Sequence, residues 1–172
     1  MAALPNSHPI SYRAALLILF AAMGSGVGDA QAARPLLAEL LARAPVVAGQ
    51  PAMSPPALEA CLRQARELDR TGTAIDTEIA AIERLVAEGM FLQNQINVEL
   101  PMLGGYDEPG LNEFQHRMIR HEELAKEFQA EFPLYRQKQK AYDAAVAKFD
   151  RDCAQGFHAG DIGAVKAKLG IK

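Results

Sequence analysis

From Cys61 onward the chain carries apolar residues at alternating steps of three and four: Cys61, Ala65, Leu68, Gly72, Ile75, Ile79, Ile82, Val86, Gly89, Gln93, Ile96, Leu100 and Leu103, ten of the thirteen apolar. A second run keeps the same alternation through Leu111, Phe114, Met118, His121, Ala125, Phe128, Phe132, Tyr135, Gln139, Tyr142, Val146, Phe149 and Cys153, with eleven of thirteen apolar. A mean spacing of 3.5 residues keeps one stripe of a helix facing a partner, so each run reads as the seam of a left-handed coiled coil. Composition agrees: Ala, Leu, Glu, Gln and Arg dominate, β-branched residues are scattered, and only 6 % of residues are aromatic, none of them Trp.

Between the runs lies Gly104-Gly-Tyr-Asp-Glu-Pro-Gly110, whose glycines and proline end one helix and allow the chain to reverse. In an antiparallel hairpin centred on Asp107, facing residues lie equally far before and after that centre, and Cys61 and Cys153 each lie 46 residues away. The same register sets Leu68 against Val146, Val86 against Phe128 and Leu100 against Phe114. It sets Gly72 against Tyr142, where a missing side chain admits a ring, and Gln93 against His121, where two polar residues can bond to each other. On the flanks Glu78 neighbours Lys138, Glu99 neighbours Arg117, Asp76 neighbours Arg136 and Leu92 meets Leu124, while Asp69 beside Asp143 is a mismatch. Each arm is expected to run roughly 60 Å at about 1.5 Å per residue. Pro101 begins the turn, and Pro133 should kink the second arm or break it into two helices.

The first residues are unlike the rest. Arg13 precedes an uncharged run of ten, Ala14 to Met23, followed by a small-residue stretch to Ala33. This is the layout of a secretory signal peptide, and ten apolar residues are about half of what a membrane-spanning helix needs. Ala30-Gln31-Ala32 places small side chains three and one residues before a cut after Ala32; a cut after Ala30 is the alternative. Export to the periplasm would put both cysteines in an oxidising compartment and favour a Cys61–Cys153 disulfide. Two free buried thiols are the other reading.

The expected fold is therefore all-α: a long antiparallel helical hairpin closed by one disulfide, with short N- and C-terminal helices. Residues 1–32 are the signal peptide, 33–56 a short helix (Pro35 to Arg43) and a Pro-rich linker, 57–156 the hairpin with its turn at 104–110, and 157–172 a tail with a last short helix. Ser54 followed by Pro55 should start the first arm, Gly156 should stop the second, Asp161 should cap the last helix, and Gly170 should end it.

Function is less legible. With 18 Lys+Arg against 21 Asp+Glu the formal charge is −3, which argues against a nucleic-acid binder. Glu113 and His116 have the Glu-x-x-His spacing of carboxylate-bridged metal sites, but such sites need a second copy and two further Glu, all pointing inward, and in this register both residues face outward. His116 and His121 are five apart and so on different helical faces. The cysteines lack Cys-x-x-Cys spacing. Gly24-Ser-Gly-Val-Gly28 follows no strand and falls in the signal peptide. His121 is a buried titratable group on the seam. No catalytic, cofactor or metal set emerges, and no small-molecule substrate is evident. The off-seam apolar residues Leu85, Met90, Phe91, Leu92, Ile119, Leu124 and Leu134 are too many for a hairpin to hide alone. The segment Leu36 to Leu41, a second copy in a four-helix bundle, or a protein partner would cover them.

The Cys61-Leu-Arg start and the Phe149-Asp-Arg-Asp-Cys153-Ala-Gln-Gly tail resemble small exported coiled-coil proteins of Gram-negative bacteria that have no assigned activity. The resemblance spans residues 57–172 and carries no functional residue with it. Periplasmic hairpin chaperones are a looser comparison, and the chain lacks their basic arms and Leu-Thr-x-x-Gln motifs. The expected function is thus a non-enzymatic periplasmic interaction or scaffold element that binds a protein partner or forms a homodimer. Membrane contact is expected only through an uncleaved signal. The alternative is a client-binding or envelope-stress chaperone using the off-seam apolar surface.

Overall fold

The computed structural model describes residues 33–47, 49 and 51–171, so the expected signal peptide lies outside the described residues. The elements in order are α1 (Leu36–Leu41), α2 (Pro55–Glu99), a 3-10 turn (Leu100–Gly105), α3 (Glu108–Asp152) and α4 (Ala159–Leu169). No strand occurs among the described residues. The fold is all-α and built on the pair α2 and α3, each of 45 residues, joined by a Cys61–Cys153 disulfide with Cα atoms 5.8 Å apart.

The helix boundaries follow local chemistry. Ser54 Oγ accepts a hydrogen bond from the Ala57 N–H at 3.4 Å, and Pro55 and Pro56 bring no N–H that the first turn would leave unpaired. At the other end Pro101 lies in the tightened 3-10 turn, after which Tyr106 is extended. Asp107, the expected centre of the reversal, is also the cap of α3: its Oδ1 accepts from Gly110 N–H at 3.0 Å. Pro133 lies inside α3, which continues unbroken from Glu108 to Asp152, so the break into two helices does not occur. A proline costs a helix about 3 kcal/mol, whereas burying each large apolar side chain gains about 1.5–3 kcal/mol. Phe128 and Tyr135 are both buried, one on each side of the proline. For α4, Asp161 is not the cap: His158 is extended and the helix begins at Ala159, which leaves Asp161 in the first turn. Gly170 ends the helix at φ 62°, with Gly170 N–H donating to Ala167 O and Ile171 N–H to Lys166 O, the paired bonds of a Schellman cap.

The described chain divides into two compact units, residues 79–133 and residues 33–78 with 134–171. The second, the disulfide unit, has a core of Leu36, Leu40, Met53, Leu58, Leu62, Leu68, Phe149, Phe157 and Val165 around the cystine. Leu36 and Leu40 show that α1 is a cover for the base of α2, and α4 contributes Val165 from another side. The Pro-rich segment read as a linker is docked: Val46 N–H donates to Phe157 O at 3.0 Å and Met53 N–H to Gly156 O at 2.8 Å. A Cβ at Gly156 would overlap Val46, so the glycine admits this close approach. Arg43 donates to the Cys153 carbonyl, and Lys168 of α4 donates to Glu59 Oε2 at 2.6 Å. The expected register holds at Cys61 with Cys153, at Gly72 with Tyr142, and at Lys138, whose Nζ donates to Glu78 Oε1 at 2.6 Å.

The turn unit buries Ile79, Ile82, Val86, Ile96, Phe114 and Phe128 from the two seams, together with His121. Phe128 and Phe132 stack with ring centroids 4.9 Å apart. Arg117 donates to Glu99 Oε2 at 2.6 Å, as the register requires, and Arg120 donates to Glu88 Oε1 at 2.9 Å.

Candidate functional site

Each unit holds one candidate region. In the disulfide unit, Asp69 and Asp76 lie seven residues apart and so project from the same side of the helix. Asp69 Oδ1 accepts the Leu36 N–H at 2.7 Å and its Oδ2 the Leu37 N–H at 3.1 Å, while both oxygens of Asp76 accept the Ala33 N–H at 3.3 Å. The expected Asp69–Asp143 mismatch is thereby resolved, because Asp69 is turned to the strap, residues 33–41, that carries α1. Asp76, expected beside Arg136, likewise serves Ala33. Between the two carboxylates sits Gly72, where an added Cβ would come 2.5 Å from the Ala33 Cβ and 2.9 Å from Tyr142 Oη. Tyr142 Oη is buried without a well-formed hydrogen bond. Burial raises its pKa, and the Arg34 backbone N–H acts more weakly the other way. The Arg34 side chain donates to Glu39 Oε2 at 2.6 Å and to Asp150 Oδ2 at 2.8 Å, which raises the guanidinium above its ordinary pKa and lowers that of Glu39.

In the turn unit the off-seam residues sort by burial. Leu92 and Leu124 are buried, Leu124 completely, and Leu85 is half-buried, so none of the three offers a partner an open face. Met90, Phe91 and Ile119 are exposed, as is Leu134 of the disulfide unit. Val98 and Met102 are exposed as well and were not among the expected surface residues. The signal that would have found Val98 is its seven-residue spacing from Phe91, which puts both on the side of α2 away from the seam. Phe91 is 61 % and Val98 66 % exposed. The helix α1 does not cover this surface, since Leu36 and Leu40 are committed to the core of the disulfide unit.

The seam polar pair departs from expectation. Gln93 Nε2 donates to Asn97 Oδ1 at 3.1 Å, one turn along its own helix, and its Oε1 is buried without a hydrogen-bond partner among the described residues, so the Gln93 side chain does not accept from His121. An i,i+4 amide pair needs no help from the facing helix, which is why it competes successfully. Burial lowers the His121 pKa. Glu113 and His116 are exposed, and Glu113 pairs loosely with Arg117 at 3.7 Å. Among the described residues no group of three His, Cys, Asp or Glu is placed to hold a metal ion, and no helix is long and apolar enough to cross a membrane.

No protein-family model, curated protein or solved structure matches the chain significantly. The formed disulfide is a bond of non-reducing compartments.

Proposed function

We propose that this protein is a non-enzymatic periplasmic helical-hairpin protein that acts as an interaction or scaffold element through the turn unit, with a protein partner or a second copy as its counterpart. The observation that carries this reading is the pair Phe91 and Val98, each more than half exposed on one face of α2. Large apolar side chains grouped on a helix face stay exposed in a stable protein chiefly where something binds them. The disulfide and the small-residue Ala30-Gln31-Ala32 sequence after an apolar decapeptide support export.

Sedimentation of the full chain and of a Phe91→Ser, Val98→Ser double variant tests the reading. Self-association in the parent that the double variant loses supports a second copy. A monomer that suppresses aggregation of a heat-unfolded client, with suppression weakened by the double variant, favours the chaperone reading. A monomer without that activity, recovered with both thiols free from a cytoplasmic fraction, sinks both.

A further inference from the structure

Ala33 of the strap sits in a pocket suited to a chain end. Ala33 N lies 3.3 Å from each oxygen of the Asp76 carboxylate. A peptide N–H has one hydrogen to divide between two acceptors, and 3.3 Å is longer than an ordinary N–H···O bond. An α-ammonium has three hydrogens and a full charge, and would serve both oxygens at the shorter distances of charge-assisted bonds. The side chain of residue 33 is limited too, because the Ala33 methyl rests in the space left by Gly72 and beside Tyr142. The charged groups that act on Tyr142 beside Ala33 are Asp69 and Asp76 from α2 and Arg34 next to Ala33. The Arg34 guanidinium is already engaged by Glu39 and Asp150, and the group that Ala33 N faces is the Asp76 carboxylate. Independently of all this, Ala30-Gln31-Ala32 supplies the small residues that a leader peptidase requires before the bond that follows Ala32.

We propose that the Ala32–Ala33 peptide bond is the processing site of this protein and that Asp76 is the receptor for the α-ammonium this cut creates. A leader peptidase hydrolyses the C–N bond with one water: the water oxygen joins the Ala32 carbonyl carbon, which leaves as the carboxylate of the released leader, and the two water hydrogens join the one already on the Ala33 nitrogen to make the ammonium. The contact with Asp76 changes from a shared neutral N–H to an ion pair. Processing thereby fastens the strap that carries Leu36 and Leu40 into the disulfide-unit core. The inference rests on the export reading above. It also separates the two sequence-level cuts, because cleavage after Ala30 would leave Ala33 N a peptide amide.

The test starts from the full chain, expressed with export in a Gram-negative host. Intact mass of the recovered protein should correspond to a chain beginning at Ala33. Its α-amine, titrated by pH-dependent acylation, should have a pKa about one unit above the ordinary range of about 7.7–8.0, and Asp76→Asn should return it to that range. A merely structural hydrogen bond would not move this titration. Should the variant fail to accumulate, the parent's α-amine pKa alone decides. A full-length product overturns both this inference and the export reading. A product beginning at Gln31 leaves export standing and overturns the inference, as does an Ala33 amine that titrates in the ordinary range.

Discussion

Asp69 caps α1 from a different helix: its Oδ1 accepts the Leu36 N–H at 2.7 Å, and its Oδ2 the neighbouring Leu37 N–H at 3.1 Å. Pro35, the residue that precedes α1, makes no side-chain cap bond, so the free N–H groups of this six-residue helix depend on α2. Asp69→Ala should lower the stability of the protein by about 1 kcal/mol, the usual cost of a lost cap, with Asp69→Asn losing less. Urea titration with unchanged slope and a lower midpoint checks this. Equal midpoints for parent and Ala variant would mean the strap contributes nothing to the disulfide unit.

Cys61→Ala and Cys153→Ala should destabilise by similar amounts under oxidising conditions, because either removes the same cross-link. The cystine closes a sequence separation of 92 residues. Chain entropy alone puts the effect at roughly 4–5 kcal/mol, an upper figure that strain would reduce. Denaturant titrations of parent and variants, with and without reductant, should converge when the parent is reduced.

Gly72→Val should be costly for a reason visible at one point in space. The first added carbon would stand 2.5 Å from the Ala33 Cβ and 2.9 Å from Tyr142 Oη, and both neighbours would have to move. Overpacking of this kind costs about 1–3 kcal/mol. Thermal unfolding followed by circular dichroism should show a lowered midpoint, and a neutral result would count against the Gly72 and Tyr142 register.

Leu124 and Phe91 both lie off the seam, and the structure parts them: Leu124 is buried and Phe91 exposed. Leu124→Ala should cost about 2–5 kcal/mol, since the side chain is completely buried. Phe91→Ala should change the stability of an isolated protomer by less than about 0.5 kcal/mol. A large loss for Phe91→Ala that grows with protein concentration would instead report a second copy on that face.

Acid should weaken the turn unit through His121. Burial holds the folded-state pKa of this imidazole below the ordinary 6.5, so the unfolded chain binds its proton more readily. Its contribution is present in full above pH 6.5 and is lost as the pH falls below that value toward the folded-state pKa. Urea midpoints from pH 7.5 to 5 should decline, and His121→Leu should flatten that decline. A variant with the same pH slope as the parent would assign the acid sensitivity to other groups.

The hairpin was legible because it rests on periodicity and symmetry. The 3,4 spacing set two long helices, Asp107 set the reversal, and the equal distances of Cys61 and Cys153 from it set a register that the cystine, the Gly72 and Tyr142 contact and two cross-helix ion pairs all share. The helix start at Ser54 and the stop at Gly170 were equally readable, since caps depend on residues within one turn, whereas Asp107 read only as the centre of the reversal and its capping of α3 came from the structure. What the sequence could not determine was where the short pieces go. A six-residue helix has no stable position of its own, and only the tertiary fold supplies the carboxylates of Asp69 and Asp76, the carbonyls of Gly156 and Phe157, and the apolar pocket for Leu36 and Leu40. Burial off the seam was undecided for the same reason: Leu124 and Phe91 have similar apolar character, and which of them meets other side chains is set by neighbours that only the packed structure names.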